Sequence, residues 1–382
     1  MTFISHTIYR VVASTIALML AASCAKVQTL TQKEPLVVSF QVGNSQQQTK
    51  TISGGSLLDE GCDNFYCNAW YYPAAGPAQS FMTDDEIRPD QIPNPTYWAP
   101  VRDHFWPKSG TVNFFSYASA LPLGNHLSVS NEGRSFTITD YTVTGYDNIM
   151  IADAVYNATY ANAGRSNEVL EVGNPNTPLT GVPTIFRHLL AQVEMDLTLY
   201  TASANVTTNT IYEVEVTDIT LQNLRDEGSL TLTNTYSGGT AYGTQPWAPA
   251  SNGTVIGWVP TGSARNVNLT PDSGNTIILS AGSSRGDRVI FLGGGSVMPQ
   301  TLESSLAISI TITIRTKHGD TTYNVDEGVV LHSGFYKSEI PSWAMNQRII
   351  YHIDIDPVTR TLSFDPAIAD WGSPIDGGSW QL

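Results

Sequence analysis

Charge is what this chain has least of. Only 14% of its 382 residues are Asp, Glu, Lys or Arg, well under the usual quarter. So few charges exclude a protein of exposed, salt-bridged helices, and no stretch holds an apolar 3.6-residue period for three turns. Basic residues are scarcer than acidic ones, 19 against 34, for a formal net charge of −15. Such a surface repels phosphate, which excludes nucleic acid and anionic lipid head groups as partners. Cysteine is nearly absent, with three residues and no histidines beside them, too little for a four-ligand zinc site. No cofactor or metal is implied by any motif. Long apolar runs are missing too: Val11–Ala22 is too short to cross a bilayer core, which takes about twenty residues in a helix.

What is present begins with that short run. Arg10 precedes it and small residues lead out of it to Cys24, the pattern of an export signal rather than of a membrane span. The stretch "LMLAASCAK" resembles a bacterial lipobox, in which cleavage falls before the cysteine and its thiol carries lipid; Ala21 stands where that pattern usually has Leu. The resemblance implies a signal peptide over 1–23, lipidation at Cys24 and a polar tether over 24–35. Removing the signal takes away one charged residue, Arg10, so the mature chain is more acidic still. The other cysteines, Cys62 and Cys67, bracket "CDNFYC". In an exported protein that spacing predicts a small disulfide loop, with two separate thiols as the alternative.

Hydrophobic residues make up 41% of the chain, ample for a core. Their period is two. In "LVVSFQV" (Leu36–Val42), Leu36, Val38, Phe40 and Val42 share one face. "TVNFFSYAS", "SFTITDYTV", "NIMIADAVY", "IYEVEVTDITLQNL", "AISITITIRT" and "RIIYHIDIDP" read as strands by the same rule. "FRHLLAQVEM" (Phe186–Met195) also reads as strand, because "VEMDLTLY" continues the alternation. Trp70–Pro107, rich in Pro and Trp, predicts short strands and ordered loops. "EVGNPNTPLTGVP" (Glu171–Pro183) is the candidate linker. The expectation is an all-β protein of two β-sandwich domains, 36–182 and 183–382.

Catalytic signals are weak. "GSSRG" around Ser284 has the G-x-S-x-G spacing, but a strand and a glycine turn follow it where a nucleophile elbow needs a helix. Asp354 and Asp356 in "HIDIDP" alternate with Ile353 and Ile355 and predict a solvated strand face. His188, set among apolar residues, reads as a hydrogen-bonded structural histidine. No enzyme emerges.

Several pieces line up, in order, along nearly the whole chain: the lipobox, "LVVSFQV", "YDNIMIADA" (Tyr146–Ala154), "FRHLLAQVEM", "NQRIIYHIDI", "LSFDPAIADW" (Leu362–Trp371) and the closing "GSPIDGGSWQL". With them the sequence resembles the fimbrillins, lipoprotein-precursor subunits of pili on Gram-negative anaerobes. The resemblance implies a transthyretin-like first domain and a precursor held to the outer membrane by its lipid. It also implies a protease that removes the first strand, and a donor strand from another subunit that takes its place. On this sequence the removable strand is Leu36–Val42 and the first basic residue after it is Lys50, where the family pattern has Arg. The candidate donor is the C-terminal segment with Trp380 and Leu382, two residues apart. The function expected is a subunit of a surface fimbria that contributes to adhesion, with a host or bacterial surface as its unidentified ligand. A glycan-binding surface lipoprotein of the same architecture is the alternative.

Overall fold

Alternation along the sequence becomes strand almost throughout the computed structural model. The structure describes residues 37–42, 56–59, 61–92, 95, 97–130, 132–144, 147–163, 181–201, 210–234, 243–245, 247–249, 257–269, 277–280, 289–319, 322–335, 340–369 and 379–380. Among these no helix is long and apolar enough to cross a membrane. Cys24, Lys50, Ser284 and Leu382, and most of the candidate linker, lie outside the described residues.

The first half supplies β1 (Phe40–Val42), β2 (Phe65–Tyr72), β3 (Gln79–Pro89), β4 (Trp98–Pro100), β5 (Thr111–Ser119) and β6 (Leu127–Ser130). It continues with β7 (Ser135–Thr142), β8 (Ile149–Ala152), β9 (Ala154–Ala158), β10 (Val182–Thr184) and β11 (Phe186–His188). Most of them form one large sheet in the order β10-β1-β4-β3-β2-β5-β8-β11, with β9 beside β5. β10 and β11 stand at opposite ends of that order, yet only Ile185 separates them in the chain. A flat sheet with strands about 4.8 Å apart cannot bring its two ends within one residue, so this sheet rolls up. The rings inside it say the same: Phe65 on β2 lies 5.5 Å from Phe40 on β1 and 5.4 Å from Phe186 on β11, centroid to centroid.

β5 explains the next layer. It is buried on both faces, with Val112, Phe114 and Ala118 turned into the rolled sheet and Tyr117 turned out. The outward side is covered by β6, β7 and β14 (Glu227–Thr233), whose Phe136, Ile138, Leu230 and Leu232 join Tyr117 and Ile151 in one core cluster. Strand pairing therefore crosses residue 182, the expected domain limit, more than once: β11 pairs with β8, β14 with β7, and Gly243–Gln245 with β9. β14 takes the edge of β7 that β6 leaves open.

The second half packs two sheets face to face. β12 (Ala191–Leu199) runs parallel to Arg348–Asp356, and β13 (Thr210–Leu224) pairs antiparallel with Ala307–His318. Val193, Met195 and Leu197 from one sheet and Val214, Val216, Ile310 and Ile312 from the other fill the space between. The far side of β12 is not solvated. Glu194, Asp196 and Thr198 are buried there, and Arg348 donates to both carboxylate oxygens of Glu194, one contact at 3.0 Å. His352 Nδ1 lies 2.6 Å from Asp196 Oδ2, and Thr198 donates to Asp354. The expectation of a solvated face at Asp354 and Asp356 is corrected accordingly. Asp356 is buried and accepts from the amides of Val358 and Thr359, at 2.8 and 3.2 Å, because it closes the turn into the next strand. His188 is structural, as its apolar neighbours predict: it is buried, Nδ1 lies 2.9 Å from Asn148 Oδ1, and burial pushes its pKa down to about 3.

The disulfide expectation is also corrected. Cys62 and Cys67 are present as two buried thiols, not as a bridge. Cys67 lies on the inward face of β2 between Phe65 and Ala69, and burial pushes its thiol up to about 12. Bridge formation starts from a thiolate, which that environment disfavours. Iodoacetamide at pH 8 is therefore expected to leave Cys67 unmodified in the native protein and to label it after unfolding. Native labelling at the rate of an exposed thiol contradicts this placement.

Candidate functional site

The expected removable strand is an internal strand of the rolled sheet. β1 lies between β10 and β4, parallel to the former and antiparallel to the latter, with Phe40 opposite both Val182 and Trp98. Hydrogen bonds outside the regular ladder hold its N-terminal side. The Val38 amide donates to His104 O at 2.7 Å, and the Val182 amide donates to Ser39 O at 2.8 Å. The alternation in the sequence fixes which side chains enter the core. Val38, Phe40 and Val42 are buried, with Phe40 wholly enclosed, as their shared face predicts. Phe40 meets Phe65 and Phe114 edge-on, at 5.5 and 5.6 Å, and Trp98 and Trp106 complete the same cluster. Edge-on aromatic pairs of this kind contribute about 0.5–1.5 kcal/mol each beyond their buried area.

Two features of this cradle escape residue patterning alone. β10 falls at the end of the candidate linker, where Val182 and Thr184 are buried beside β1. The glycine before it has a structural cause. Gly181 sits at φ +126°, and a Cβ there would come within 2.9 Å of Ser39 O. Only glycine lets the chain approach β1 that closely. The signal was present in "GVP", but a linker and a short edge strand share those residue types.

The remaining candidates do not gather into one site. Ser379 and Trp380 form a two-residue strand parallel to Val289–Val297, pairing with Val289 and Ile290, in the second half of the fold. Cys62 and Cys67 belong to the core of the rolled sheet. Among the described residues, no group of three or more His, Cys, Asp or Glu is placed to hold a metal ion. The cradle pairs both backbone edges of β1 and encloses its apolar side chains.

Comparison with known proteins bears on the same fold. The family described as fimbrillin-like matches residues 75–371. No curated protein matches the chain. Among solved structures, a fimbrial protein from Bacteroides vulgatus is 13% identical with a TM-score of 0.48, over 88% of this chain and 99% of that one. The tip fimbrial protein Mfa3 from Porphyromonas gingivalis, in a C-terminally truncated form, is 12% identical with a TM-score of 0.35, over 88% and 99%. Since the family match spans residues 75–371, well over half of the sequence, the chain belongs to the fimbrillin-like family and so to the proteins of cell-surface fimbriae.

Proposed function

We propose that this chain is a non-enzymatic fimbrial subunit that polymerises by strand exchange, with β1 as the strand given up. The observation that carries the reading is the seat of β1: three residues long, inside the sheet, with its Phe40 and Val42, and Val38 just before it, in the core. Lipid at Cys24 holds the precursor at the outer membrane. Cleavage after Lys50 then separates the lipid and β1 from the rest of the chain in one cut. The buried side chains of Phe40 and Val42 in β1 and of Val38 just before it contribute about 5–8 kcal/mol at roughly 25 cal/mol per Å². Once they leave, the groove between β10 and β4 exposes apolar pockets and two rows of unpaired backbone groups, which strongly favours refilling. The donor in this reading is the C-terminal segment of a second subunit, through Trp380 and Leu382. The assembled fimbria contributes to adhesion.

The test is limited trypsin treatment of the purified precursor. The untreated chain is expected to stay monomeric and the cut chain to form ladders on gels. Lys50→Gln should suppress the ladders, and deletion of Ser379–Leu382 should abolish them while leaving the fold intact. Ladders that survive the deletion overturn this donor. A precursor that resists cutting at Lys50 yet sits on filaments overturns exchange at β1 and points to an anchoring subunit.

A further inference from the structure

The inward face of the rolled sheet belongs to β1 and its cradle, but the outward face of β2 and β5 carries a second feature. An open cleft of about 640 Å³ lies there, between that face, the 120–124 turn and β6. Small-molecule sites commonly fall between about 300 and 1,000 Å³. Its floor is aromatic: Tyr66 lies stacked on Tyr117, centroids 5.4 Å apart and planes 22° apart. Its polar groups are already positioned. Tyr117 donates to Asp84 Oδ1 at 2.6 Å, and the Asp84 amide donates to Asn68 Oδ1 at 3.0 Å. Asn64 Nδ2 donates to Glu86 at 2.6 Å. These bonds use one end of each amide, which leaves Asn68 Nδ2 as a donor and Asn64 Oδ1 as an acceptor. Asp63, exposed, adds a second carboxylate at the rim.

The charge of the lining selects among ligands. None of the cleft's lining residues is Lys, Arg or His, while Asp63 and Asp84 are both acidic. Phosphate, sulfate and acidic sugars are repelled. We propose that this cleft binds a neutral saccharide. The apolar C–H face of a pyranose ring stacks on Tyr66, its hydroxyls donate to the Asp63 and Asp84 carboxylates, and its ring or hydroxyl oxygens accept from Asn68. Carboxylates accept hydroxyl protons in strong, charge-assisted hydrogen bonds, which suits a ligand rich in donors. The proposal stands on these side chains and does not depend on strand exchange.

The test uses the full chain, titrated with methyl glycosides of glucose, galactose, mannose and N-acetylglucosamine and with short neutral oligosaccharides, read by calorimetry and by NMR. Saturable binding to at least one is expected. Tyr66→Ala and Asp63→Asn should each weaken it about tenfold or more, the loss of one stacked face or one hydrogen bond to a charged group. Asp63 makes no contact that the fold requires, so its variant keeps the test open if Tyr66→Ala fails to fold. A sialylated form of the best ligand should bind at least tenfold more weakly. The proposal is overturned if no neutral sugar binds, or if binding is undiminished in both variants. It is overturned equally if a lysine-rich peptide binds where the sugars do not.

Discussion

Phe40→Ala is expected to cost about 3–5 kcal/mol of stability, the range for emptying a fully enclosed aromatic site. Phe40 has no exposed surface, and its ring contacts those of Phe65 and Phe114. The strand that carries it is only three residues long, so its backbone bonds cannot compensate for the lost packing. Denaturant unfolding followed by tryptophan fluorescence should show a lower midpoint with little change in slope for the transition of the rolled sheet. The variant should also form ladders faster after trypsin, because a weakened β1 leaves its groove more readily. A loss below about 1 kcal/mol would mean that β1 contributes little to this core, and exchange at β1 would lose its energetic basis.

Breaking the ion pair of the second half is expected to cost as much. Glu194→Ala leaves Arg348, 4% exposed, as an unpaired buried cation. Removing one partner of such a pair typically costs about 3–5 kcal/mol, whereas replacing both by apolar residues of similar volume is often neutral. The double variant Glu194→Leu with Arg348→Met should therefore recover most of the loss. Thermal unfolding of the single and double variants measures it. A double variant as unstable as Glu194→Ala would show that these groups also hold neighbours such as His352 and Asp354 in place. The physical route for that coupling is one shared face: Glu194, Asp196 and Thr198 on β12 bond Arg348, His352 and Asp354 on the neighbouring strand.

Much of this fold was legible because strands write their faces into the sequence. Thr111–Ser119 is a strand over the residues its alternation marks, and Val38, Phe40 and Val42 enter the core together. "FRHLLAQVEM" is strand at Phe186–His188 and again from Ala191, with a break at Leu189 and Leu190 that its alternation does not mark. Trp70–Pro107 was less legible. β3 runs eleven residues through it, longer than its prolines suggest, with Pro89 at its end where a missing N–H does least harm.

The sequence by itself determined the class of this protein, because composition and a two-residue period act locally. Few charges, no helical period and alternating strands already specify an all-β chain. Which strands meet was decided only in three dimensions. β1 pairs with β10 some 140 residues away, β14 returns to β7, and the two ends of the large sheet close within one residue of each other. Backbone hydrogen bonds are chemically alike at every residue, so a strand's own sequence says which face it buries but not which neighbour it takes. Burial decides the rest: Asp356, expected from alternation on a solvated face, and Cys67, expected from spacing in a disulfide loop, both lie inside.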